Sequence, residues 1–261
     1  MTFDTHLLGF GMSEKSITSM ENGISHEEWE TDFRGERKSW LRAKHLLWFL
    51  IALGATTLIF VPFVKTQGRI MDMSHSLSNG RAVFACMMDF ENDFGHFPDD
   101  ISASSSAKMK IFRGEFSNDY LGQLIAGGYL RSEEIFCVSA KAFPRQQPDD
   151  VISPPDRILE KNECGFAYVM REVQAMRQGL SSSDPRYLPL LVTPLVNRWG
   201  SFERTSFQHC GGMICIDGTA KAEHLRRSDN KIVLKNGLTL FDTGSGTVWG
   251  NVKPVVLLPE R

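Results

Sequence analysis

From Leu46 to Val64 the chain runs nineteen residues without a charged side chain, Leu-Leu-Trp-Phe-Leu-Ile-Ala-Leu-Gly-Ala-Thr-Thr-Leu-Ile-Phe-Val-Pro-Phe-Val. At about 1.5 Å rise per residue a helix of this length covers about 28 Å, close to the roughly 30 Å of a bilayer's hydrocarbon core. No other stretch of the sequence could span. A buried core helix keeps polar residues along one face. A cleaved secretory signal has an apolar region of about 7–15 residues ending in a small-residue site, which Val64-Lys65-Thr66-Gln67 does not offer. The pattern therefore predicts a retained anchor.

Beyond the span, Ile70, Met73, Leu77, Phe84, Met87 and Met88 recur at helical spacing. The same helix is expected to continue as residues 65–94 and lay this stripe on a folded head. Gly95 and Pro98 stop it near Phe94. A break near Pro62 or Gly68 is the alternative. Residues 99–113 read as a Ser-rich connector. Ser117-Asn118-Asp119 supplies N-cap candidates for a short helix with Leu121, Leu124 and Ile125 inside and Gly127-Gly128 at its end. Ile135 to Val138 reads as a short buried strand, and the proline-rich 144–156 as a loop. Gly165–Met170 and Leu188–Val196 are strand-like, parted by a turn at 181–185. Met213 to Ala222 forms a hairpin about Asp217-Gly218, a pair suited to a two-residue turn with positive φ at both positions. A second hairpin is expected around Asn236-Gly237. A long N-terminal helix followed by mainly antiparallel strands makes the fold class α+β.

Charge sets the orientation. Arg34, Arg37, Lys38, Arg42 and Lys44 precede the span, whereas only Lys65 and Arg69 follow it closely. Basic residues near the ends of a span stay cytoplasmic, so residues 1–45 are expected inside and 65–261 outside, in a cell membrane crossed once. The polar tail 1–45 reads as mostly disordered. The chain has 29 Lys+Arg against 31 Asp+Glu, and the acidic excess lies in the tail. The exterior domain is then electrically balanced, which argues against nucleic acid as a partner.

All five cysteines follow the span, where disulfides are permitted. Cys137 and Cys164 flank a proline-rich loop, and a bond between them is one expectation, two separate buried thiols the other. A loop of that length, once closed, stabilises by roughly 3 kcal/mol in the chain-entropy view. His209, Cys210 and Asp217 hold the ingredients of a Cys/His nucleophilic site. They lack a nucleophile-elbow, zinc or phosphate-loop pattern, so no catalytic, cofactor-binding or metal-ligating set is assigned and no enzyme is expected. Asp217, Asp229 and Asp242 are oxygen donors available to a calcium ion, without an EF-hand spacing to collect the six to eight that calcium takes.

The order of parts resembles bacterial pilin-like proteins, the pseudopilins of type II secretion among them. The resemblance rests on Leu77-Ser78-Asn79-Gly80-Arg81-Ala82 leading into Asp89 to Pro98, and on Tyr120 to Leu130 with Glu133-Glu134-Ile135-Phe136. Gly211-Gly212 running to Asp217-Gly218 completes it. It is closest to variants with large, loop-rich heads. It implies a long helix, half transmembrane, packed on an antiparallel sheet, and a non-catalytic structural or secretion-associated role. The implied partners are the membrane and other pilin-like or secretion-system proteins. A membrane-anchored receptor, sensor or scaffold of the envelope is the competing expectation.

Overall fold

The computed structural model describes residues 26–140, 143 and 148–261, with side-chain surroundings from Lys44 onward. Two compact units divide the chain, Met1–Phe60 and Val61–Arg261. The described part of the first is helix throughout. Helix α1 (His26–Phe94) is one element, unbroken at Pro62 and Gly68. Its first twenty residues, 26–45, belong to the tail that the sequence reads as mostly disordered; residues 1–25 of that tail lie outside the described residues. Glu, Arg and Lys supply nine of those twenty residues, and extending an existing helix avoids the cost of nucleating a new one.

In the second unit, α1 stops where the sequence places its stop. Gly95 takes φ +78°, and its N–H donates to Glu91 O at 2.7 Å. The buried line along this part of α1 is Ser76, Gly80, Val83, Met87 and Phe90, spaced alternately by four and three residues. Met73, Leu77, Phe84 and Met88 flank it, half-buried, and Ile70 is exposed. The seam is thus centred between the large residues of the expected stripe, on two small ones. A Cβ on Gly80 would sit 2.7 Å from Ile214 Cγ1 and 3.3 Å from Phe166 Cε1, so its absence lets the helix backbone approach the sheet.

That sheet contains β1 (Ala167–Val173), β2 (Met176–Gln178), β3 (Pro189–Thr193), β4 (Cys210–Cys215), β5 (Ala220–His224) and β6 (Pro254–Leu257). Its order is β2-β1-β3-β4-β5, with β6 paired to β1, and every named pair is antiparallel. Strands β3 and β4 are buried at every position, which is why their sequences read as continuous apolar or glycine-rich runs. Strand β5 is mostly exposed and carries Lys221 and Glu223, charges that discourage pairing with a foreign strand.

Several local expectations are corrected. Residues 99–113 include a helix, α2 (Asp100–Ser105), whose N-cap Asp99 accepts from Ile101 N–H and Ser102 N–H. Helix α3 (Ser117–Ala126) is capped one residue earlier than expected, at Phe116, whose N–H donates to Asp119 Oδ2 at 2.8 Å. Residues 134–136 form a single 3₁₀ turn instead of a strand, because Phe136 N–H and Cys137 N–H bond back to Glu133 O and Glu134 O. The β4–β5 hairpin exists, but only Gly218 has positive φ (+76°). Gly218 N–H donates to Cys215 O and Cys215 N–H to Thr219 O, a longer loop closed by one left-handed glycine. Around Asn236-Gly237 the pairing shrinks to the bridge Val233↔Thr239.

Candidate functional site

The apolar run of α1 presents its side chains outward: Trp48, Phe49, Leu58, Phe60 and Phe63 are all more than half exposed. A core helix of a soluble protein would have covered them. Among the described residues α1 is the one helix long and apolar enough to cross a membrane.

Just past the run, the segment 203–209 leans on the helix. Gln208 Nε2 donates to Thr66 O at 2.7 Å. The segment is internally fixed. Glu203 accepts from Thr205 N–H at 2.7 Å and from Ser206 N–H at 2.8 Å, and Phe207 is fully buried. Burial works against the Glu203 carboxylate, but hydrogen bonds from Ser206 and Thr205 outweigh it and hold the group below its ordinary pKa. Gln208 and His209 both take left-handed backbone, φ 52° and 67°, uncommon for residues with side chains. That twist aims Gln208 at the helix and His209 back at Arg204, whose Nε donates to His209 Nδ1 at 3.0 Å.

No family model, curated protein or solved structure matches this chain.

The nucleophilic constellation of the sequence is taken apart. His209 faces Arg204, while Cys210 meets His224 across the β4–β5 pair, with Sγ and Nδ1 3.4 Å apart. Asp217 lies at the far end of the hairpin and accepts from Thr219 N–H at 2.9 Å. Burial and the Glu223 charge push the Cys210 thiol up, away from the reactive thiolate.

The three aspartates named as calcium donors serve their own turns. Asp229 pairs with Arg226, and Asp242 accepts from Thr239 N–H at 2.6 Å. Sequence reading missed a different acidic group, Glu133, Asp149 and Glu163, whose oxygens lie within 4.8 Å of one another. Glu133-Glu134 sits in a motif noted for other reasons, and nothing in the spacing joins it to residues sixteen and thirty further on. Glu133 is fully buried and accepts from Leu159 N–H at 2.8 Å and Asp150 N–H at 3.1 Å. Glu163 accepts from Glu160 N–H at 2.6 Å, and Arg157 neutralises Asp149. The chain's own donors thus tie 148–163 to the turn at Glu133.

Burial, followed by the Glu133 charge, pushes Glu163 up to about 7, and burial also raises Glu133. A carboxyl whose pKa rises on folding binds its proton more tightly in the native state. Its contribution is fully present below the unfolded pKa and is lost as pH climbs to the folded one. The head is therefore expected to lose stability between about pH 4.5 and 7. In thermal melts across that window, Glu163→Gln should flatten the decline. An unchanged pH slope in the variant would show that Glu163 does not titrate there.

Cys137 and Cys164 are two separate thiols in the structure, the first half-buried and the second buried, and not the crosslinked pair of the other expectation. Cys164 Sγ turns to Phe166 O at 3.5 Å and Ser117 Oγ at 3.8 Å, Cys137 Sγ to Glu163 O at 4.0 Å. Burial pushes Cys164 up to about 12 and, with help from the Glu134 charge, Cys137 up to about 11. Both should resist alkylation at pH 8 in the folded protein and react once it is unfolded, because the thiolate is the nucleophile. Peptide mass spectrometry reads this, and a linked 137–164 pair without reductant would contradict it.

Proposed function

We infer that this chain is a single-pass, membrane-anchored protein of the bacterial envelope, with its N-terminus cytoplasmic and a non-catalytic pilin-like head outside. Its role is structural or secretion-associated. One observation carries the reading: the helix that bears the exposed apolar run continues, without a break, into the seam that organises an antiparallel head. One helix that carries an apolar run and then serves as a core element is what a subunit built on a membrane-inserted spine requires. The residues 77–98, 120–136 and 211–218, in that order, support the pilin-like part.

Membrane fractionation followed by affinity capture from solubilised membranes tests the role. The expected result is a carbonate-resistant membrane protein that co-purifies with other pilin-like or secretion-system components. Capture free of any such component would remove the secretion-associated reading.

A further inference from the structure

The segment 203–209 meets the helix at Thr66, two residues beyond Val64. Two helical residues advance about 3 Å, and the polar layer on each side of a bilayer's apolar core is about 5–7 Å deep. If Leu46–Val64 fills that core, the segment lies in the polar layer. We propose that residues 203–209, with Lys65 and Arg69 on the helix, form a seat for anionic phospholipid headgroups. The proposal rests on the membrane-anchored reading above.

The chemistry of the segment fits that occupant. Arg204 spends its Nε on His209, and its two terminal nitrogens have no hydrogen-bond or ion-pair partner among the described residues. A guanidinium with its fork free is shaped for two phosphate oxygens. Lys65 is exposed and Arg69 half-exposed, and neither makes an ion pair among the described residues. Four residues apart, they stand on one helical face in the first turns after the span. Within 203–209 the single acid, Glu203, turns its carboxylate to Thr205 and Ser206 and makes no ion pair with Arg204 among the described residues, so it keeps its charge but leaves the guanidinium fork open, against the three cations Arg204, Lys65 and Arg69.

The rigidity of the segment points the same way. Two consecutive left-handed residues with side chains are held in place by His209 N–H on Arg204 O at 3.0 Å and Cys210 N–H on Phe207 O at 3.0 Å. Backbone held in sparsely populated regions concentrates at sites whose geometry matters. Here the geometry fixes how Arg204 is displayed at the level where the helix leaves the apolar layer. The unoccupied alternative, an ordinary solvent-facing loop, has no need of a side chain bonded to the backbone carbonyl of a membrane helix.

The full chain in lipid nanodiscs provides the test, read by amide hydrogen exchange of peptides covering 203–210. Discs of phosphatidylcholine alone are compared with discs in which about a third of the lipid is phosphatidylglycerol. One basic side chain at an anionic surface is worth about 1 kcal/mol, so exchange in these peptides should slow about fivefold in the anionic discs. Arg204→Gln should abolish the difference, as should about 0.5 M salt on the unaltered protein, which screens surface charge. Inorganic phosphate added to phosphatidylcholine discs should not reproduce the effect. Peptides from β1 report whether the variant is folded; if it is not, the salt arm decides. Insertion with equal exchange in both lipids, or protection by phosphate alone, would overturn the headgroup seat while leaving the anchor intact. Failure to insert at all would overturn both.

Discussion

Phe90→Ala is expected to destabilise the head by about 3–5 kcal/mol, the usual cost of truncating a large buried aromatic to Ala. Phe90 is fully buried on the seam of α1. Its ring stacks on Phe94 with centroids 4.4 Å apart and meets Tyr129 edge-on at 5.2 Å. Removal loses apolar burial and two aromatic contacts. In a unit of this size each kcal/mol shifts the melting temperature by about 2–4 °C, so a fall of at least about 6 °C should be visible in the detergent-solubilised chain. Phe84→Ala should cost less. That ring is only half-buried, packed over Gly218 and 6.3 Å from Phe97. Arg81→Ala, at an exposed position, should change little. Equal tolerance of Phe90→Ala and Arg81→Ala would mean the helix stands off the head as a stalk.

Asp99→Ala should rival it. Asp99 is fully buried, and its carboxylate holds three pieces of chain together. Oδ1 accepts from Ile101 N–H and Ser102 N–H at 2.8 and 2.9 Å, capping α2. Oδ2 accepts from Gly179 N–H at 3.2 Å, just after β2, and lies 3.1 Å from His96 Nδ1 at the exit of α1. A lost cap costs about 0.5–2 kcal/mol, and each buried donor left without a partner about 1–3 kcal/mol. A total of about 3 kcal/mol or more is the expectation, measured by chemical denaturation. Asp99→Asn should recover part of it, since one amide oxygen can still cap α2 while the NH₂ now faces the Gly179 donor. Full stability of the Ala variant would show that the cap is replaced by other acceptors.

These two positions also explain what the sequence discloses and what it conceals. Patterns set by one residue's own chemistry were legible. The apolar run, the stop at Gly95, the inner face of α3 and the core strands β1, β3 and β4 all follow from local composition. Features set by a partner far along the chain were not. Gly80 looks like a weak point in a helix until Ile214 is placed 2.7 Å from where its Cβ would be. Asp99 looks like one more polar residue in a serine-rich stretch until Gly179 meets it. Ile135 to Val138 has the residues of a strand but no strand beside it in the ladder, and the local turn won. Strands β2 and β6 are three and four residues long and carry no alternation to read. The acidic group of Glu133, Asp149 and Glu163, and the contact of Gln208 with Thr66, are likewise joined only by the fold.

The proposed topology has Leu46–Val64 crossing the membrane with the head outside. It is tested most directly by two fusions of a reporter active only in the cytoplasm. Placed before Trp40 the reporter should be active, and placed after Arg261 it should be silent, because basic residues such as Arg34 to Lys44 tend to keep their flank of a span cytoplasmic. Activity of the Arg261 fusion, with silence of the other, would put the head on the cytoplasmic side and overturn this topology.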